Sequence, residues 1–208
     1  HEHDHDHEDH EEEGGHDHGH GSEMHPGDVI FLLGGYAVTT VPGNAAFAFL
    51  GNPGSTFYLA GQQEAEGVPF IGWNTEALDP AGFTGDITIE LHEVHGPGDV
   101  FLYEVDSFGG ITVIWDSTDA AEDVFTLPAG IHRHLNLAVT APGTYELTVH
   151  AEAELAAGGA VHTETVLTVQ AGGMEGYFGH FERLSPAWIH AETGDMLHTG
   201  QWPWLWSP

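Results

Sequence analysis

The chain opens by alternating imidazoles with carboxylates. His1, His3, His5, His7 and His10 are interleaved with Glu2, Asp4, Asp6, Glu8 and Asp9, and His16, His18 and His20 follow. Imidazole nitrogen is a preferred neutral ligand for zinc, copper and nickel, and carboxylates supply charge. Interleaving them lowers the cost of loading cations, because each bound ion also relieves carboxylate repulsion. Such a tract binds several ions weakly and exchangeably, since nothing preorganises it. Two plainer readings compete, an expression tag and a solvated acidic tail. Tags are usually pure histidine runs, so metal buffering is the expectation. With no cysteine and only three methionines, Cu(I) is disfavoured and Zn2+ is the expected ion, other divalent transition metals staying open.

Nine of the 18 histidines lie beyond residue 25, and the densest pair is in Ile131-His132-Arg133-His134-Leu135-Asn136. On a strand, His132, His134 and Asn136 share one face and Leu135, Leu137 and Val139 the other. A hairpin centred on Thr140-Ala141-Pro142-Gly143 would set His134 opposite His150 and His132 opposite Glu152. A second turn near Ala157-Gly158 would bring Glu152 near Glu164 and Glu154 near His162. Parity then puts His132, His134, His150, Glu152, Glu154, His162 and Glu164 on one sheet face. Cross-strand Cβ atoms lie about 5 Å apart, close enough for shared coordination. Three or four N/O ligands suit tetrahedral Zn2+. The expected metal residues are therefore His132, His134, His150, Glu152 and His162, besides the tail. The competing reading is a wet polar sheet face with unrelated histidines. His92-Glu93-Val94-His95 falls one residue short of the zincin H-E-x-x-H and lies in strand-like text, which argues against a metalloprotease.

Composition narrows the functional classes. The 208 residues carry 33 acids, only Arg133 and Arg183 as bases, and a formal charge of −31. Nucleic acids and anionic membrane surfaces are bound by neutralising phosphates with Lys and Arg, so neither is an expected partner. Without lysine there is no Walker-type phosphate loop and no Schiff base; without cysteine there is no disulfide or thiolate. A hydrolase using a metal-bound water would need an open coordination position and a nearby base in a cleft; nothing in the sequence marks one, so no enzyme is expected. The longest apolar run, Val29 to Leu33, falls far short of the about 20 residues a membrane helix needs. The chain begins at His1 with no visible signal peptide, and a lost secretory signal is the expectation.

The elements that must position these residues are short strands. Residues 1–26 hold Met24 as their one large apolar side chain and are expected to be disordered when metal-free. Residues 27–172 read as strands at Asp28–Gly34, Tyr36–Val41, Ala46–Leu50, Thr56–Ala60, Asp86–Val94, Val100–Val105, Ile111–Asp116, Ile131–Thr140, Thr144–Leu155 and Val161–Gln170. Ile87, Ile89 and Leu91 alternate with Thr88, Glu90 and His92; Tyr145, Leu147 and Val149 alternate with Glu146, Thr148 and His150. This period of two predicts half-buried antiparallel strands, and their number and spacing an all-β antiparallel sandwich, Ig-like or jelly-roll-like. Residues 173–208 hold four of the six tryptophans and read as a small aromatic β-element, packed by burial or used as a docking or sugar-stacking surface.

Several segments together resemble a known family. They are Phe49-Leu50-Gly51 to Gly54, Gly67-Val68-Pro69-Phe70-Ile71-Gly72-Trp73, and Gly96-Pro97-Gly98 followed by Phe101-Leu102-Tyr103. The most specific is Leu127-Pro128-Ala129-Gly130-Ile131-His132-Arg133-His134-Leu135-Asn136 leading to Ala141-Pro142-Gly143-Thr144-Tyr145. From about residue 28 to 170 the chain resembles the choice-of-anchor M domain, also described as the actinobacterial surface-anchored protein domain. With its ends, it resembles zinc-repressed, PEP-CTERM-bearing secreted proteins. The family often has Trp after the Asn, where this chain has Leu137. The resemblance implies a secreted, periplasmic or cell-surface location, extracytoplasmic zinc capture, buffering or delivery, and a metal ABC transporter or surface component as partner. The alternative is a structural or adhesive surface module that self-associates, with metal only stiffening it.

Overall fold

The computed structural model describes residues 26–119, 121 and 123–173, with two further strands at 188–190 and 196–197. The expected metal ligands His1, His3, His5, His7, His10, His16, His18 and His20 lie outside the described residues. The strands are β1 (Val29–Leu33), β2 (Val38–Thr40), β3 (Thr56–Ala60), β4 (Gly72–Asn74), β5 (Ile87–His95), β6 (Val100–Val105) and β7 (Ile111–Asp116). They continue with β8 (Val124–Leu127), β9 (His132–His134), β10 (Asn136–Val139), β11 (Gly143–Glu154), β12 (Ala160–Ala171), β13 (Trp188–His190) and β14 (Met196–Leu197). A seven-stranded sheet runs β14-β13-β1-β12-β11-β5-β8, a five-stranded sheet runs β2-β3-β10-β6-β7, and β4 and β9 form a separate ribbon. Pairing is antiparallel except between β1 and β12. The fold is the expected all-β sandwich.

Alternation builds the core. Tyr145, Leu147, Val149, Ala151 and Ala153 of β11 are buried, while Glu146, Glu152 and Glu154 are exposed. The inward set meets Val100, Leu102, Trp115, Leu137 and Val139 of the facing sheet. Each large side chain removed from water in this way contributes about 1.5–3 kcal/mol. The five-stranded sheet is also covered on its other face. There Phe57, Phe101, Tyr103 and Ala138 pack under a 3-10 segment, Ala45–Leu50, through Phe47, Phe49 and Leu50. Burial at this second core pushes the Tyr103 hydroxyl pKa up to about 12.

Three expectations about elements change. Ala46–Leu50 is helical rather than extended, because Asn44 caps it by accepting from the Ala46 N–H. Ile131–Thr140 is two strands in two places: β9 joins the ribbon and β10 lies between β3 and β6. Leu135 through Val139 are all buried, as a central strand covered on both faces requires. The β11–β12 hairpin is closed by a loop over residues 155–159, in which Leu155 N–H donates to Gly159 O. Its register therefore pairs His150 with Glu164 and Glu152 with His162, two residues from the expected one.

The turn at 140–143 is a crossing between sheets, not a hairpin. The Tyr145 hydroxyl donates to Ala141 O at 2.8 Å and accepts from Ala141 N–H at 3.1 Å, a tyrosine corner. Burial raises the pKa of this hydroxyl, keeping its proton available for donation. The loop Gly96-Pro97-Gly98 lies on the same ring, and a Cβ on Gly96 would run into it.

Candidate metal centre

The β4–β9 ribbon has two dissimilar faces. Trp73 and Arg133 are paired across it. Trp73 is buried, with its ring edge-on to Trp115 and to Phe125 at 5.2 Å each. Arg133 Nη2 donates to Glu104 Oε2 at 2.6 Å, tying β9 to β6. The opposite face carries Gly72 across from His134 and Asn74 across from His132.

The flanks of β9 hold it in register. The Thr75 hydroxyl lies 2.6 Å from Pro128 O and 2.9 Å from Ile131 O, and Thr75 N–H donates to Ile131 O. Gly130, at φ +84°, makes the turn that delivers Ile131 to this clamp, a conformation L side chains avoid. On the other side buried Asn136 accepts from Gln62 N–H and donates to Gln62 Oε1. Gln62 in turn bonds both backbone groups of Val105. Within Gly130–Asn136, then, Gly130, Arg133, Leu135 and Asn136 have structural tasks.

The two imidazoles are oriented by different partners. His134 Nδ1 lies 3.0 Å from Ile71 O, an acceptor only, so Nδ1 carries the proton and Nε2 the lone pair of the neutral ring. The ring stacks on Phe70 at 3.7 Å and 6°, and a Cβ on Gly72 would come within 2.8 Å of its Cε1. His132 Nδ1 lies 2.9 Å from Glu76 Oε1. Glu76 is itself held, its N–H donating to Asn74 Oδ1 at 2.6 Å and its Oε2 lying 3.4 Å from Asn74 Nδ2. Carboxylate and carbonyl acceptors at Nδ1 are the outer partners that fix ring orientation in metal-ligating histidines. The ring centroids are 5.4 Å apart at 74°.

The single converging site is not what the fold makes. His132 and His134 lie on the ribbon, whereas His150, Glu152 and His162 lie on the outward side of β11 and β12, because β9 takes β4 as partner instead of β11. On that sheet face His150 sits between Glu90 and Glu164, with its Nε2 2.5 Å from Glu164 Oε2. Its ring stacks on His92 at 4.3 Å and 15°. Rings nearly parallel at that offset do not place one ion in both ring planes. Among the described residues no three of His, Asp and Glu are placed to hold an ion together. Sequence reasoning missed Glu76, Phe70, Gly72 and Asn74, whose only signal was their place in and beside the Gly67–Trp73 segment. It also set aside His92, whose ring stacks on His150.

Searches of protein-family models, curated proteins and solved structures found no match to this chain. No helix among the described residues is long and apolar enough to cross a membrane.

Proposed function

We propose that the protein binds zinc outside the cytoplasm, capturing ions with its histidine-rich tail and seating one on the His132–His134 pair. The observation that carries this reading is the double restraint of the pair, one Nδ1 on the Glu76 carboxylate and the other on the Ile71 carbonyl. The tail's dense negative charge would raise local cation concentration and loading rate. The recipient on this reading is a metal transporter or surface component.

Thermal unfolding with and without zinc tests it. The tail's histidines need no sheet to bind, whereas the pair is oriented only in the folded chain. A ligand that binds only the folded state stabilises it by about 2.7 kcal/mol at a hundred times its Kd. Zinc should therefore raise the Tm of the parent chain and leave that of His132→Ala/His134→Ala nearly unmoved. Equal shifts in both, or calorimetric binding no tighter than a Kd of about 100 µM, would sink the reading.

A second reading, an adhesive or self-associating module, draws on β7. It is an edge strand among the described residues, with Ile111, Val113, Ile114 and Trp115 apolar, Val113 exposed and Phe108 97% exposed at the adjoining turn. Unprotected edges of this kind pair with other chains. Concentration-dependent assembly that survives a chelator would favour it.

A further inference from the structure

We infer that the protein self-associates through an uncharged flank of its five-stranded sheet, made by β2 and the 3-10 segment Ala45–Leu50, which meets the same flank of a second copy. This deepens the self-associating reading above and rests on it for the existence of an assembly, but it names a surface other than β7. The zinc reading is independent of it. Residues 29–63 contain no Asp, Glu, Lys, Arg or His, so all 33 acids, both arginines and all 18 histidines lie elsewhere in the chain. β1, at the start of this stretch, is spent on the core, whereas much of the chain from Gly35 to Thr56 is at the surface. Tyr36 is 67% and Val38 43% exposed, and Ala45, Ala46 and Ala48 are exposed with them. The fold gathers these residues around one margin of the sheet. There β2 pairs with β3, and the 3-10 segment lies over the sheet's outer face, its Phe47 and Phe49 packed against Phe101 and Tyr103.

Depletion of charge, more than apolar content, marks the core of a protein interface. Charge also names the occupant. A partner of opposite charge would be drawn to the acids and gains nothing from a neutral patch. A body with the same strong negative charge can close only where neither side presents an acid, and a second copy of this chain is such a body. The flank is wide enough for this. At about 2.0 Å per residue the six-residue 3-10 segment is about 12 Å long, more than the screening length of about 8 Å at about 0.15 M salt. Glu64 and Glu66, beside the Gly67 backbone that the Tyr36 ring covers, then fall at the rim, where water and salt screen them. A patch that meets itself about a two-fold axis is the commonest form of assembly and closes at two copies. Covering Ala45, Ala46 and Ala48 costs no rotamer freedom.

Sedimentation velocity of the full-length chain, with a chelator present, tests this between about 1 µM and about 100 µM protein. A monomer–dimer equilibrium is expected. Its Kd should fall as salt rises from about 0.05 M to about 0.5 M, because screening removes repulsion between the copies. Val38→Glu and Ala46→Glu, made separately, each bring a like charge into both sides of the contact and should raise the Kd at least about ten-fold. Both side chains are exposed, so the core is untouched and the Tm should stay near the parent's. Ala157→Glu, in the exposed loop over residues 155–159, adds the same charge away from the flank and should leave the Kd nearly unchanged. A chain that stays monomeric over this range at both salts would overturn the inference and the self-associating reading together. A dimer that survives both flank variants would overturn the inference alone, and its loss in Val113→Glu would give the contact to β7. Equal weakening by Ala157→Glu would overturn it by tracing the effect to net charge. A dimer that forms only when zinc replaces the chelator would overturn it in favour of ion bridging.

Discussion

Gly72 and Glu76 determine how firmly the two imidazoles are held. A methyl at position 72 would press on the His134 ring, against which Phe70 also stacks. Gly72→Ala should therefore turn the ring off its Ile71 contact and weaken zinc binding. Glu76→Ala should weaken it by about 10–100-fold, the usual effect of losing an outer partner. Both are read by calorimetry, and an unchanged affinity in Glu76→Ala would show that its carboxylate does not orient His132. A different residue sets an acid dependence. Burial raises the Asp123 pKa, donation from Asp116 N–H opposes this, and the charges of Asp119 and Asp116 add to the rise. The folded chain thus holds this proton more tightly than the unfolded chain. Its contribution is most favourable in acid and is lost as pH rises through the folded pKa. Asp123→Asn keeps an acceptor for Asp116 N–H and removes the charge. Its Tm should exceed the parent's at pH 7, and the difference should vanish below about pH 4, where carboxylates are protonated anyway.

At the level of elements, the change of sheet between Leu135 and Asn136 makes the site. β9 stays with β4 because Thr75 and Gly130 fix its start, and β10 enters the other sheet because Asn136 locks onto Gln62. Asn136→Ala would strand the Gln62 groups and cost about 1–3 kcal/mol in urea unfolding. Tyr145→Phe should cost a similar amount, since it leaves both backbone groups of Ala141 without the corner's hydroxyl. A loss below a few tenths of a kcal/mol would mean that the corner does not hold the crossing. The strands β5 and β11 were legible because they are long enough for alternation to repeat, and β6 and β7 because apolar runs stand between turn residues. β4 was not, since its three residues carry no period. The Ile131–Thr140 text alternates as one strand would, and only the choice of partner divides it.

For the whole molecule, charge is the dominant property. With 33 acids against two bases, the folded chain concentrates like charge that the unfolded chain spreads out. Raising salt from about 0.01 M to about 0.5 M shortens the screening length from about 30 Å to a few Å. The Tm should rise with it, and a flat response would mean that the acids are spaced widely enough not to repel. The same field makes the molecule a cation concentrator irrespective of which residues finally hold an ion.

The amino-acid order alone determined the β class, the inward parity of β5 and β11 and the even division of histidines between residues 1–25 and the rest of the chain. These depend on side-chain type and local period, which are properties of neighbours in the chain. Tertiary structure alone decided which histidines meet. Parity survives a slip of two residues, so β11 and β12 kept their faces while exchanging partners. Pairing does not survive a change of sheet, and β9 turned to a three-residue strand sixty residues earlier. The packing of Trp73, the Thr75 clamp and the Asn136–Gln62 lock made that choice, and each joins segments far apart in sequence.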